Sequence, residues 1–312
     1  MTPAPAHLLD HLDTHGYAVH EGLVAPAQVA LLRERLLEQA RLECDEGVAT
    51  FRLGRHADGR QIGRPPAGVQ PSWQAVLALP NKGRAFIDAV MHPVVLAYGR
   101  HLFGGVPFYL AQSTGLLVNG GCGAQVMHSD QQPVPFETPV PLYFNVMLAL
   151  SDFEADMGVT EVVPGTHRRP APRLHRDPQT GQVASLDPAQ PVKLTCPAGS
   201  AIVFESRLWH FQGASSSSRQ RLSVLNGYCM HFVRAQDNYA ASLHDDVYAG
   251  LDEAERAMLG FEVVREYCGR VFPRTAQDRR CNTNARYPYI PELRDGNGRH
   301  AVPFEGMGSD ES

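Results

Sequence analysis

Two short segments, 82 positions apart, carry residues that could do metal chemistry. The first is Gln125-Val126-Met127-His128-Ser129-Asp130. The second is Trp209-His210, followed eleven residues later by Arg221-Leu222-Ser223. Together they supply two imidazoles and one carboxylate. This is the ligand set of a facial triad, which binds non-haem Fe(II) and leaves other positions open. Arg221 and Ser223 add a cation and a hydroxyl where a dicarboxylate co-substrate needs them. A planar guanidinium grips a carboxylate through two hydrogen bonds, and residues two apart on a strand share a face. The chemistry so assembled is that of an oxygenase.

The pair His-x-Asp is weak by itself. The chain holds it at His11/Asp13, His56/Asp58, His128/Asp130, His175/Asp177 and His244/Asp246, so context must separate them. His11 begins a helix-like stretch, and His56 and His175 sit in polar loops. His244 follows every His that has an Arg-x-Ser behind it. Only His128 follows an apolar, strand-like run and precedes more of them. His128 and Asp130, read as the end of a strand, can then meet one ion from one side, and His210 arrives from a distant part of the chain. Taken alone, His210 reads equally as a core or capping histidine. Arg219, beside the turn Ser215 to Ser218, competes with Arg221 as the useful cation. His231 shares their parity, but ten extended residues span about 33 Å, which removes it from the same site.

These residues need elements to hold them. Residues 7–14 read as a helix, Gly16 to His20 as a strand, and a second helix opens at Pro26, where proline is tolerated. Its apolar face is Val29, Leu31, Leu32, Leu36, Leu37 and Ala40. Residues 45–75 are rich in Gly, Arg and Pro and read as a long loop, the kind that forms lids. Residues 84–103 read as one further helix. From about 106 the period changes to short β-like runs separated by Gly, Pro and Ser. Among them are Phe108 to Gln112, Leu116 to Val118, Leu142 to Leu150, Val159 to Val163, Ser200 to Phe204 and Leu222 to Phe232. Seven or more such runs indicate a sandwich, jelly roll or barrel. From 236 the pattern turns helical and ends in a Pro- and Gly-rich tail.

Composition narrows the classes. Hydrophobic residues make up 43% of the 312, charged residues 20%, and the net charge is −5. Those values suit a globular domain with a sizeable core. No polybasic run invites nucleic acid, and no apolar run is long enough for a membrane span. The N-terminus lacks a signal-peptide pattern. The six cysteines (44, 122, 196, 229, 268 and 281) are scattered, as expected of reduced thiols in a cytoplasmic protein.

An ordered set of motifs resembles the phytanoyl-CoA dioxygenase family of Fe(II)/2-oxoglutarate oxygenases over roughly residues 10–235. The set runs from Gly16-Tyr17-Ala18-Val19 through Gln125-x-x-His128-x-Asp130 and Asn145-x-x-x-Ala149-Leu150. It continues with Gly158-x-Thr160-x-x-x-Pro164-Gly165-Thr166-His167 and Pro197-Ala198-Gly199-Ser200, and closes with Trp209-His210-x-x-Gly213 and Arg221-x-Ser223. The resemblance implies a mainly β fold with flanking α: a double-stranded β-helix (jelly-roll, cupin-like) core with N- and C-terminal helices. The expected organisation is a single domain over 1–312, with a helical part at about 7–104, a core at about 105–235 and an extension at 236–312.

It further implies that His128, Asp130 and His210 bind Fe(II). Arg221, supported by Ser223, would pair with the distal carboxylate of 2-oxoglutarate, and Gln125, Asn145 and Thr160 would lie beside that co-substrate. His167 would belong to a turn. O2 would be consumed and succinate and CO2 released. A carboxylate at 130, rather than the small residue of related halogenases, points to hydroxylation or desaturation of an unactivated C–H bond. The expected partner is a small molecule, such as a secondary metabolite, with no nucleic acid or membrane, and the protein is a monomer or homodimer. For substrate contacts, Phe51, Phe136, Phe211, Tyr228 and Tyr239 are offered as aromatic walls. Arg52 or Arg55 would anchor the substrate. Lids are sought in 45–75, in Gln131 to Pro141 and beyond 236. Two other classes compete: a cupin-like metalloenzyme that does not use 2-oxoglutarate, and a non-catalytic binding protein on the same fold.

Overall fold

The protein is described by a computed structural model covering residues 3–54, 59–177 and 183–262, with 264 and 269. The chain divides into a unit Met1–Gly260 and a unit Phe261–Ser312. Nearly all of the second unit, and Arg55, lie outside the described residues.

The chain opens with α1 (Ala6–His15), β1 (Tyr17–His20) and α2 (Pro26–Glu46). Proline stands at the first turn of α2, where its missing N–H is not needed, and Gly47 ends the helix at φ 73°. Strands β2 (Ala49–Arg52), β3 (Arg60–Gly63) and β4 (Trp73–Val76) follow, then α3 (Arg84–Val90) and α4 (Pro93–Leu102). The next strands are β5 (Phe108–Val118), β6 (Tyr143–Ala149), β7 (Thr160–Val162), and β8 (Leu174–Arg176) and β9 (Val183–Ser185), which pair as a separate two-stranded sheet. They continue as β10 (Val192–Lys193), β11 (Ala201–Glu205), β12 (His210–Gln212) and β13 (Arg221–Met230). Short helices α5 (Tyr239–Ser242), α6 (Asp245–Ala249) and α7 (Glu253–Arg256) come last.

Two sheets form the jelly roll. The larger has eight strands in the order β1-β11-β6-β13-β5-β4-β2-β3, and the smaller runs β10-β7-β12. Every pairing is antiparallel. Strand alternation divides the large sheet. Met147, Ala149, Ile202 and Phe204 turn inward and pack with Phe153, Val162, Leu194 and Cys196 from the facing layer. On the other side, Tyr228 stacks on Phe144 at 4.8 Å, with Phe108 and Phe103 around them. The Tyr228 hydroxyl donates to Val90 O at 2.9 Å, which ties the sheet to α3. Gly99 lets α4 settle on this cluster, since a Cβ there would stand 3.0 Å from the Phe144 ring.

The structure corrects two expectations. Residues 45–75 are not one long loop, because β2, β3 and β4 extend the large sheet through pairing of β4 with β5. Gly and Arg hide these strands in the sequence, yet Phe51, Trp73 and Ala75 are buried. The single helix of 84–103 is two helices. The break comes at His92-Pro93, where the residue before proline is driven out of the helical region (His92 ψ 123°).

Candidate active site

The first motif does not lie on a regular strand. Its segment pairs with β12 through Gln125 N to Gln212 O at 2.9 Å, and through His128 and His210, which exchange backbone bonds of 3.0 and 2.8 Å. Val126 and Met127 on one side thus stand against Phe211 alone on the other, a bulge of the kind that re-aims side chains. The two imidazoles come to 4.5 Å between ring centres.

Asp130 completes the group. Its Oδ1 lies 3.7 Å from His128 Nε2 and its Oδ2 lies 3.6 Å from His210 Nε2. All three donor atoms fall within 4.8 Å of one another, and these three residues form the one group of possible metal ligands found among the described residues. The tautomers are set by the backbone. His128 Nδ1 faces Val126 O at 2.8 Å and His210 Nδ1 faces Leu208 O at 2.9 Å. A carbonyl can only accept, so each Nδ1 carries the proton and each Nε2 presents a lone pair to the centre. Burial, reinforced by the neighbouring His210, lowers the pKa of His128 below the usual imidazole value. That favours the neutral form a metal needs. Asn145 Nδ2 donates to Asp130 Oδ2 at 2.5 Å and fixes the carboxylate's orientation.

Behind this group a cavity of about 470 Å³ runs inward to Arg221. Arg221 is 1% exposed. It meets Met147 Sδ at 3.5 Å and Gln212 Oε1 at 3.4 Å, and its Cζ stands 5.0 Å from the centre of the Phe153 ring. Its Nε and the hydroxyl of Ser223 are buried without a partner. Among the described residues no carboxylate pairs with it. Burial pushes its pKa down to about 10. A buried cation with open donors calls for an anion. Arg219 is a different case, because it pairs with Glu154 on the surface.

Gln125, Asn145 and Thr160 line this same cavity. Gln125 Oε1 accepts from Gln212 N at 3.1 Å, and Thr160 Oγ1 lies 3.7 Å from Met147 Sδ. His167 sits in a short turn at 166–168, apart from the three metal-capable residues.

The proposed substrate contacts are placed elsewhere. Phe136 lines a separate, larger cavity of about 770 Å³ under the 131–141 segment, which contains none of His128, Asp130 and His210. Phe211 packs with Met127, Val163 and Trp209, and Tyr228 is in the core. Phe51, Tyr239 and Arg52 are also absent from the 470 Å³ cavity's wall, Arg52 lying 4.5 Å over the Trp73 ring. The wall instead includes Trp73, Arg60, Gln112, Thr114, Gln212 and Asp237, none of which the motifs single out. Gln112 and Thr114, two apart on β5, share one of its faces, but nothing in the sequence says which face meets the cavity.

An antiparallel two-sheet jelly roll with two imidazoles and one carboxylate converging on an internal cavity is the architecture of cupin-like oxygenases. The chain belongs to the phytanoyl-CoA dioxygenase (PhyH) family, whose model matches residues 12–223. An uncharacterised protein of Mycobacterium bovis, Mb1539, is 28% identical over 81% of this chain and 85% of its own length. The dioxygenase aneA of Aspergillus aculeatus is 28% identical over 71% of this chain and 77% of its own. Among solved structures, HygX of Streptomyces hygroscopicus, bound to nickel, 2-oxoglutarate and hygromycin B, superposes with a TM-score of 0.55. It is 18% identical and matches over 74% of this chain and 89% of its own.

Proposed function

We propose that this protein is a non-haem Fe(II)- and 2-oxoglutarate-dependent dioxygenase that oxidises an unactivated C–H bond of a small molecule, by hydroxylation or desaturation. Arg221 carries this reading. It is a fully buried cation with unused donors, at the inner end of the cavity whose wall holds His128, Asp130 and His210. A dicarboxylate reaching from those three residues to Arg221 supplies the missing anion. A cupin-like enzyme without this co-substrate, or a plain binding protein, leaves Arg221 unexplained.

His128, Asp130 and His210 would hold the iron. Arg221 would take the distal carboxylate of 2-oxoglutarate, with Ser223 and Gln212 beside it, and Gln125, Asn145 and Thr160 would flank the co-substrate between them. Iron and 2-oxoglutarate together supply, with O2, an oxidant strong enough for C–H cleavage, at the cost of decarboxylation to succinate and CO2. The chain's own residues do the positioning. The two backbone carbonyls keep each Nε2 free, Asn145 holds the carboxylate, and the enclosing sheets limit access of water to the centre. The hygromycin B bound to the structurally similar HygX supports a secondary metabolite as substrate.

The test is an anaerobic visible spectrum of the protein with Fe(II) and 2-oxoglutarate. A weak charge-transfer band that needs both components is expected. Iron binding without any band on adding 2-oxoglutarate would refute the co-substrate assignment.

A further inference from the structure

The outer wall of the 470 Å³ cavity is polar in a way that neither the metal residues nor Arg221 uses. Gln112 and Thr114 point into it from β5, and neither side chain has a hydrogen-bond partner among the described residues. Asp237 stands next to them. Its backbone N donates to Ala111 O at 2.8 Å. Its Oδ2 accepts from Ser113 N at 3.4 Å and from the Tyr239 hydroxyl at 2.9 Å. The carboxylate is therefore pinned through one oxygen. Its other oxygen has no partner, and no cation pairs with it among the described residues.

This wall is continuous with the metal residues. Gly227 on β13 lies in register with Gln112 on one side and Asn145 on the other. A Cβ at 227 would stand 3.0 Å from both Asn145 Oδ1 and Gln112 Cγ. The two amides thus close over bare backbone, and Asn145 is the residue bonded to Asp130. A ligand held by Asp237, Gln112 and Thr114 would share one cavity with Asp130.

Building on the oxygenase reading above, we propose that this wall recognises the substrate, and that the substrate is a compact, hydroxylated molecule carrying a protonated amine. The amine pairs with Asp237, and hydroxyls meet Gln112 and Thr114. A carboxylate held in place with one oxygen free offers an ammonium a charge-assisted bond at little reorganisation. A long acyl chain is disfavoured by these three groups, since it would strip water from them and return no hydrogen bond. The volume fits a small ligand beside the co-substrate.

The test uses Asp237→Asn, which keeps an acceptor for Ser113 N–H and the Tyr239 hydroxyl and removes the charge. The probes are streptamine and glucosamine, their N-acetylated counterparts, and octanoate. Binding is read as the rise in melting temperature of metal-free protein with 2-oxoglutarate. Coupling is read as stimulated succinate release by the iron-loaded enzyme. The free amines should act on the wild type and the acetylated compounds should not, and Asp237→Asn should weaken the amines at least tenfold. Equal response to acetylated probes, an unchanged response in Asp237→Asn, or no response of the wild type to any amine would each overturn the proposal. The iron and 2-oxoglutarate band is recorded on both proteins. Its absence from the wild type would instead count against the oxygenase reading.

Discussion

Replacing Arg221 by methionine should make the metal-free protein more stable and indifferent to dicarboxylates. The guanidinium is 1% exposed, and its contacts are a thioether, an amide oxygen and a ring face. None is anionic, and Nε has no partner at all. Substituting apolar residues for complete buried ion pairs gains about 1–4 kcal/mol in favourable cases. Here one charge of the pair is missing, so removing the other should gain about 1–3 kcal/mol. At about 2–4 °C per kcal/mol, the figure for chains of about 150–250 residues, the melting temperature should rise by about 2–12 °C. A dicarboxylate offsets this difference. Present at about 100 times its dissociation constant, it stabilises the wild type by about 2.7 kcal/mol. The variant gains almost nothing, because the ligand's distal carboxylate would enter an apolar pocket. Calorimetry in EDTA, with and without glutarate, checks this. A variant that melts below the wild type without ligand would show that Arg221 serves the fold. A variant that keeps the glutarate shift would show that the anion binds elsewhere.

Two further outcomes follow from the same geometry. Asn145→Ala removes the donor at 2.5 Å from Asp130 Oδ2. Loss of such a supporting bond typically weakens a metal by about 10–100-fold, so Mn(II) titration should show a drop in that range, and unchanged affinity would refute the orienting role. Burial lowers the pKa of His20, His92 and His167 below the ordinary 6.5. The unfolded chain then binds more protons than the folded one once pH falls through that value, and stability declines with it. Denaturant melts of metal-free protein at pH 7.5 and 5.5 should show lower stability at 5.5, and equal midpoints would refute the effect of burial.

The site was legible where function constrains residue type at fixed spacing. His128, Asp130, His210 and Arg221 are distinctive in order, and the structure brings all four onto one cavity. Ser223 is beside Arg221 in strand order, its hydroxyl buried and unpartnered. The helix beginning at Pro26 and the long strands of the core were readable for a related reason, since proline, glycine and hydrophobic period act locally. Local pattern failed at β2 to β4, which become strands only because β5 offers an open edge. It failed again at the Gln125 to Asp130 segment, which is aimed by a bulge against β12 and by no strand of its own.

Substrate contacts show the limit most clearly. Phe136, Phe211, Tyr228 and Arg52 are plausible by type, yet none lines the cavity. Alternation along β13 groups Arg221, Ser223, Leu225 and Gly227 on one face and puts Tyr228 on the other. Only the packing of one sheet on the other decides which face encloses the chemistry. Asp237 is the extreme case. Nothing local distinguishes it from the other acidic residues, and it becomes a feature of the cavity wall when the chain returns to bond Ala111 and Ser113. Residue types and spacing therefore determined the class of enzyme this chain belongs to, because ligands and a counter-cation must be of particular kinds. What the cavity accepts was left to tertiary structure, because a wall is made of residues from separate strands that meet only when the sheets close.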